Sequence, residues 1–138
     1  MPESPTTSVI IVTYNTREMT LDCLRALHAG LPPGPAEVFV VDNASTDGTA
    51  PAIHAQFPAV KVLTNEVNRG FGAANNQAMT LATGRHFLLL NSDAFVKPNA
   101  INVLCRHLDT HPDTALVGPR LLNADGSLQA SCHRYPTP

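Results

Sequence analysis

Short apolar runs alternate along this chain with segments in which apolar residues recur at helical spacing. Val9-Ile10-Ile11-Val12 is a β-branched run that stops at Thr13-Tyr14-Asn15, and Leu21, Leu24 and Leu27 then follow at helical intervals before Gly30 and the prolines at 32 and 33. The reading is strand, loop, helix. Asn15 and Glu18 stand at capping-box spacing, which puts the helix start near Thr16. Val38-Phe39-Val40-Val41 is a second strand, closed by Asp42-Asn43. Ser45-Thr46-Asp47-Gly48 then predicts a turn and N-cap for a short helix reaching Gln56, with an aspartate at the end the helix dipole favours.

Val60-Lys61-Val62-Leu63 makes a third strand. The loop Asn68-Arg69-Gly70-Phe71-Gly72 leads into an alanine-rich helix over about 73–83, and Gly84 separates that helix from a fourth strand, Phe87-Leu88-Leu89-Leu90. Pro98 suits the first turn of a helix carrying Ile101, Leu104 and Leu108, which ends by Pro112. Ala115-Leu116-Val117 reads as a fifth strand. From Gly118 the pattern changes to two short strands around an Asp125-Gly126 turn. Short, continuously apolar strands alternating with helices predict an α/β fold, a mainly parallel sheet covered on both faces.

Composition narrows the function. The 138 residues suit one domain, with residues 1–7 as a disordered start and the α/β domain over 8–118. A net charge of -2 with 14% charged residues leaves no electrostatic footprint for nucleic acid, although a small nucleotide needs no basic face when a metal and backbone amides meet its phosphates. Residues 1–8 are polar with no signal-like apolar stretch, and no run of residues is long and apolar enough to span a bilayer, so the expected location is cytoplasmic. Three cysteines, Cys23, Cys105 and Cys132, without a CxxC, argue against a disulfide framework or a zinc knuckle.

Three polar clusters end apolar runs: Thr13-Tyr14-Asn15, Asp42-Asn43 and Asn91-Ser92-Asp93. If their strands are parallel neighbours, the clusters share the rim where open α/β sheets bind ligands. Gly70-Phe71-Gly72 precedes a helix but fails the dinucleotide fingerprint, because Asn75 stands at the third glycine position, and no Gly-Lys-Ser/Thr of a P-loop occurs. From spacing alone, Arg69 serves equally well as a phosphate contact or as a solvated loop residue. His107 and His111 have i, i+4 spacing but no third ligand nearby, so a helix end is the better reading than a zinc site. No GxSxG or similar nucleophile setting is present.

Taken in order, Val9-Ile10-Ile11-Val12-Thr13-Tyr14-Asn15, Val41-Asp42-Asn43-Ala44-Ser45-Thr46-Asp47-Gly48-Thr49, Asn68-Arg69-Gly70-Phe71-Gly72-Ala73-Ala74-Asn75-Asn76 and Leu90-Asn91-Ser92-Asp93 resemble a family-2 glycosyltransferase. The resemblance implies a GT-A fold and an inverting transferase whose donor is a nucleoside-diphosphate-sugar bound with a divalent cation, Mg²⁺ or Mn²⁺. By position, it implies that Thr13, Tyr14 and Asn15 line the nucleoside pocket and that Asp42, with Asn43, meets the base or ribose. Arg69, Gly70 and Asn76 lie near the nucleotide, as do Asn91 and Ser92. Asp93 matches the second carboxylate of an Asp-x-Asp motif whose metal bridges the diphosphate. Asn91 replaces the first aspartate of that motif, and Asn75 stands where many relatives carry arginine.

The Asn-x-Asp form resembles the branch with rhamnosyltransferases and galactofuranosyltransferases, as do Gly118-Pro119-Arg120-Leu121 and Arg134-Tyr135-Pro136, which makes a dTDP-rhamnose donor the leading expectation, with UDP-sugars next. The implied acceptor is a cell-surface glycan or a lipid-linked precursor, reached at the inner face of the membrane through peripheral association. On the same resemblance, residues 119–138 begin an incomplete acceptor-side region, and the catalytic base lies beyond Pro138. The chain is then a truncated donor-binding half whose open edge favours self-association. The alternative is a non-catalytic nucleotide-binding or assembly module. A nucleotidyltransferase is a weaker third reading, because the N-terminal glycine-rich basic loop it would use is absent.

Overall fold

A computed structural model describes residues 6–31 and 34–131. Its elements are β1 (Thr7–Thr13), α1 (Arg17–Gly30), β2 (Ala36–Asp42), α2 (Thr49–Gln56), β3 (Lys61–Thr64), α3 (Phe71–Met79), β4 (His86–Asn91) and α4 (Ala100–Thr110). The chain divides into two compact units, Met1–Asn102 and Val103–Pro138. The first holds a four-stranded, wholly parallel sheet in the order β3-β2-β1-β4. This is the α/β fold the alternating runs predict.

β1 and β2 are central and are buried along nearly their whole length, which explains their continuous Val/Ile/Phe content. α1 buries Leu21, Cys23, Leu24 and Leu27, while α3 lays Ala74 and Ala78 against Ile10, Phe39 and Val41. Small residues there let the helix approach the sheet closely. β4 differs from the expectation of a strand covered on both faces. Phe87 and Leu89 are 45% and 48% exposed, while Leu88 and Leu90 are half-buried, so among the described residues one face of this edge strand is left uncovered.

At the end of the sheet where the strands begin, one buried carboxylate gathers several elements. Glu37 accepts hydrogen bonds from the Ser8 hydroxyl (2.6 Å) and the Thr83 amide (2.6 Å) through one oxygen, and from Lys61 Nζ (2.7 Å) through the other. Gly84 closes the clasp by donating its amide to Ser8 Oγ at 2.8 Å. Burial opposes the charge on Glu37, but Lys61, Ser8 and Thr83 outweigh it and hold the carboxyl down at about 2.

Four local expectations are corrected. No capping box forms at α1: Asn15 has a left-handed backbone (φ 51°) and its side chain bonds elsewhere, so the helix starts at Arg17. Pro98 lies in the turn before α4, not in its first turn. The alanine-rich helix ends at Met79, short of 83. Ala115-Leu116-Val117 forms no strand, since three apolar residues alone find no ladder among the described residues, and Leu116 is 88% exposed.

In the second unit the expected strand pair around the Asp125-Gly126 turn is reduced to one antiparallel bridge, Leu122 with Leu128. His107 and His111 stack ring on ring at 4.1 Å, and His111 Nδ1 lies 2.9 Å from the His107 carbonyl oxygen, the arrangement of a helix end. Among the described residues no helix is long and apolar enough to cross a membrane. Cys132 and Arg134-Tyr135-Pro136 lie outside the described residues.

Candidate functional site

The parallel register brings the three strand-end clusters to one rim. Thr13 pairs with Asp42, Val12 with Asn91, and Asp42 with Thr64. The site is built from the loops that leave these positions.

Asp42 is buried and accepts the Ser45 amide, three residues on, at 2.9 Å through Oδ1, which closes the turn after β2. To make that turn Ala44 takes φ +74°, a left-handed conformation costly for a residue with a Cβ. The loop beyond is tied to α1. Asn15 Oδ1 accepts the Thr46 amide at 2.8 Å, and Ser45 Oγ accepts the Asn15 amide at 2.9 Å. Asp47 then caps two helices, taking the Arg17 amide of α1 at 2.9 Å and the Thr49 amide of α2 at 3.1 Å. The Thr49 hydroxyl, aided by these amides and opposed by desolvation, holds the Asp47 carboxyl below its ordinary range.

Asn43 is the hub for the next loop. Its Nδ2 donates to Asn68 Oδ1 (2.7 Å), while its Oδ1 accepts from Asn65 Nδ2 (3.1 Å) and from the Arg69 amide (3.0 Å). Asn68 Oδ1 also accepts the Gly70 amide at 2.9 Å. Arg69 and Gly70 are thereby presented in a fixed loop at the start of α3, both exposed, with Gly70 at φ +80°.

On the other side, hydroxyls join β1, α1 and β4. Thr13 Oγ1 shares hydrogen bonds with Thr16 (2.9 Å) and Thr20 (2.8 Å), and Thr16 reaches Ser92 Oγ at 3.5 Å. Cys23 lies beneath this turn and points its thiol at the Asn91 carbonyl, 3.5 Å away. Burial first, and then the Asp93 charge, push that thiol up to about 11. Cys23 is therefore a neutral floor below Asp93.

The predicted residues fall into two groups. Thr13, Asp42 and Asn43 are buried, with Thr13 and Asn43 committed to partners within the chain. Tyr14, Arg69, Gly70, Asn76, Asn91 and Asp93 are exposed and Ser92 is half-buried, while Asn15 is exposed with its side chain engaged by Thr46. Asp47 caps α2 through the Thr49 amide, as the turn and N-cap expected at Ser45-Thr46-Asp47-Gly48 imply, whereas its hold on Arg17 and the positioning roles of Asn65 and Asn68 have no sign in the sequence. The spacing of Asn65, Asn68 and Arg69 carries no signal until Asn43 is placed among them.

Among the described residues no group of three His, Cys, Asp or Glu side chains could hold a metal ion. The donor set at the rim is instead Asp93, exposed, beside the polar side chains of Asn91 and Ser92. One carboxylate with space around it would suit a hydrated cation such as Mg²⁺, which needs few protein ligands. It does not fit a cage made by protein alone.

The family model described as Glycosyl transferase family 2 matches residues 8–134. The chain is 29% identical over 114 residues to N-acetylglucosaminyl-diphospho-decaprenol L-rhamnosyltransferase of Mycobacterium tuberculosis, an alignment covering 75% of this chain and 37% of that protein. Among solved structures it resembles the mannosyltransferase PcManGT of Pyrobaculum calidifontis in complex with GDP-Man and Mn²⁺, with TM-score 0.70, 29% identity, and coverage of 77% of this chain and 33% of the other. It also resembles TarS 1-349 of S. aureus in complex with UDP-GlcNAc, with TM-score 0.68, 30% identity, and coverage of 78% and 32%. The chain thus spans about a third of the length of these proteins.

Proposed function

The chain belongs to glycosyl transferase family 2, and from that membership we propose that it is the donor-binding part of an inverting glycosyltransferase. The observation that carries the proposal is the convergence of Asp42 and the Asn91-Ser92-Asp93 turn on one rim of a parallel sheet. In this reading Tyr14 and Asp42 flank the nucleoside, and Arg69 and Gly70, held by Asn43, approach the nucleotide, with Asn76 nearby. Thr13, Asn15 and Asn43 act by holding these loops.

Asp93, with Asn91 and Ser92 beside it, would hold the Mg²⁺ or Mn²⁺. When bound, that ion offsets the negative charge growing on the departing nucleoside diphosphate. The pairing of a mannosyltransferase relative with GDP-Man and Mn²⁺ supports a cation at this position. Asp125 is committed to its turn by the Ser127 amide and hydroxyl, so we do not assign it as the base that takes the acceptor's proton.

For the sugar we favour rhamnose from a dTDP donor, with UDP-sugars next. The Asn-x-Asp turn and the mycobacterial rhamnosyltransferase relative support this. That relative's name also supports a lipid-linked acceptor.

The test is calorimetric titration with dTDP, UDP and GDP, each with and without Mg²⁺ or Mn²⁺. We expect metal-dependent binding of at least one nucleotide. Asp93→Ala, at an exposed position, should weaken that binding by about tenfold or more while leaving the melting temperature unchanged. Absence of binding by all three nucleotides, or an Asp93→Ala protein that binds as the parent does, overturns the proposal. The single carboxylate of the Asn91-Ser92-Asp93 turn supports a second reading, a nucleotide-binding module without transferase activity. It predicts nucleotide binding but no sugar release from a nucleotide-sugar at any acceptor.

A further inference from the structure

Thr13, Thr16, Thr20 and Ser92 form a chain of hydroxyls whose proton directions are fixed, because one end of it rests on a backbone carbonyl. Each hydroxyl has one proton to give, and a carbonyl can only accept. The Thr20 hydroxyl therefore donates to the Thr16 carbonyl at 2.8 Å. Thr13 must then be the donor to Thr20 at 2.8 Å, and Thr16 the donor to Thr13 at 2.9 Å. With the Thr16 proton committed, the 3.5 Å contact between Thr16 Oγ1 and Ser92 Oγ is left for Ser92 to make as donor. No other assignment satisfies all four contacts. Thr13 and Thr20 are buried, so water does not compete for these protons.

A second tie reaches the same turn. Cys23 Sγ lies 3.5 Å from the Asn91 carbonyl, which also accepts the Ala94 amide at 3.1 Å, so the turn is held at Asn91 as well as at Ser92. A serine whose single proton is directed inward can only accept from anything else it meets. Its neighbour in the chain is Asp93, the one carboxylate of the turn, and a hard divalent cation takes neutral oxygens alongside carboxylates.

We propose that Thr16 is a positioning residue for the cation: through this relay it turns the Ser92 proton inward and keeps Ser92 Oγ as an acceptor-only oxygen, a ligand for the divalent ion beside Asp93. The inference rests on the donor-binding reading above. Without the Thr16 hydroxyl, that of Ser92 rotates freely, and ordering it at each binding event weakens the hold on the ion.

The experiment measures Mn²⁺ binding in saturating UDP, from the electron paramagnetic resonance signal of the free ion. Ser92→Ala should weaken Mn²⁺ binding about tenfold and Thr16→Val about fivefold, whereas Thr16→Ser, which keeps the hydroxyl, should bind as the parent does. Thr16→Ala should match Thr16→Val, which guards against a packing effect of valine. The double variant of Ser92→Ala with Thr16→Val should bind no more weakly than Ser92→Ala, since Thr16 acts only through Ser92. Unchanged Mn²⁺ affinity in Ser92→Ala, or a loss from Thr16→Val as large without Ser92 as with it, refutes the relay and leaves the donor site standing. A parent chain that binds no nucleotide refutes both.

Discussion

Replacing Glu37 by glutamine tests whether the clasp at the start of the strands contributes to stability through charge. In the parent, one oxygen of Glu37 takes the Ser8 hydroxyl and the Thr83 amide, and the other takes Lys61 Nζ, which also lies 4.8 Å from the centre of the Phe39 ring. The carboxyl is depressed from 4.5 to about 2. At about 1.36 kcal/mol per pH unit that corresponds to roughly 3.4 kcal/mol as an upper limit. Lys61 is 55% exposed and solvent screens its share, which lowers the expected contribution to about 2 kcal/mol.

Because the folded pKa lies below the unfolded one, this stabilisation is complete above about pH 5 and disappears as pH falls from 4.5 toward 2. Urea denaturation of the parent and of Glu37→Gln at intervals from pH 7 to pH 2.5 isolates the effect, since every other group titrates in both. Glutamine keeps an acceptor for Ser8 and Thr83 but turns an amide toward the Lys61 ammonium. The variant should be about 2 kcal/mol less stable at pH 7 and should converge on the parent near pH 2.5. A stability difference that stays constant across this range would refute the electrostatic account and leave only shape.

Gly84→Ala places a Cβ 2.6 Å from the Ser8 amide nitrogen, and the β1 backbone cannot yield without breaking its ladder. A loss of about 3 kcal/mol or more is expected from thermal melts. Asp47→Ala removes the cap shared by α1 and α2 and should cost about 1–2 kcal/mol in chemical denaturation, whereas Asp47→Ser should recover part of it. Ala44→Gly relieves the left-handed backbone at φ +74° and should stabilise the chain by about 0.5–1 kcal/mol. An unchanged or lower melting temperature would show that the turn holds no strain.

Much of the fold was legible because parallel strands buried on both faces are written as continuous apolar runs. Val9-Ile10-Ile11-Val12 and Val38-Phe39-Val40-Val41 are of this kind and are the two central strands. Leu88-Leu89-Leu90 looks the same in sequence yet forms the edge, since a run of leucines does not say how many neighbours it has. Ala115-Leu116-Val117 failed for a related reason: a strand exists only where another strand accepts its hydrogen bonds. Asn15 and Glu18 had the spacing of a cap, but Thr46 competed for the asparagine and Asp47 took its place at α1.

The candidate site divides along the same line. The sequence by itself determined where each apolar run stops and which polar residues stand there, because burial and chain reversal are local demands. It therefore marked Asp42 and Asp93 as rim carboxylates. Only the tertiary structure decided that β4 lies beside β1, that Thr13 and Asn43 are turned inward to hold loops, and that Asp93 sits above Cys23. The same holds for Glu37 at one end of the sheet, whose charge is satisfied, and for Asn75 at the start of α3, whose oxygen is not. A polar group's role depends on the partners it meets when buried, and those partners come from distant parts of the chain.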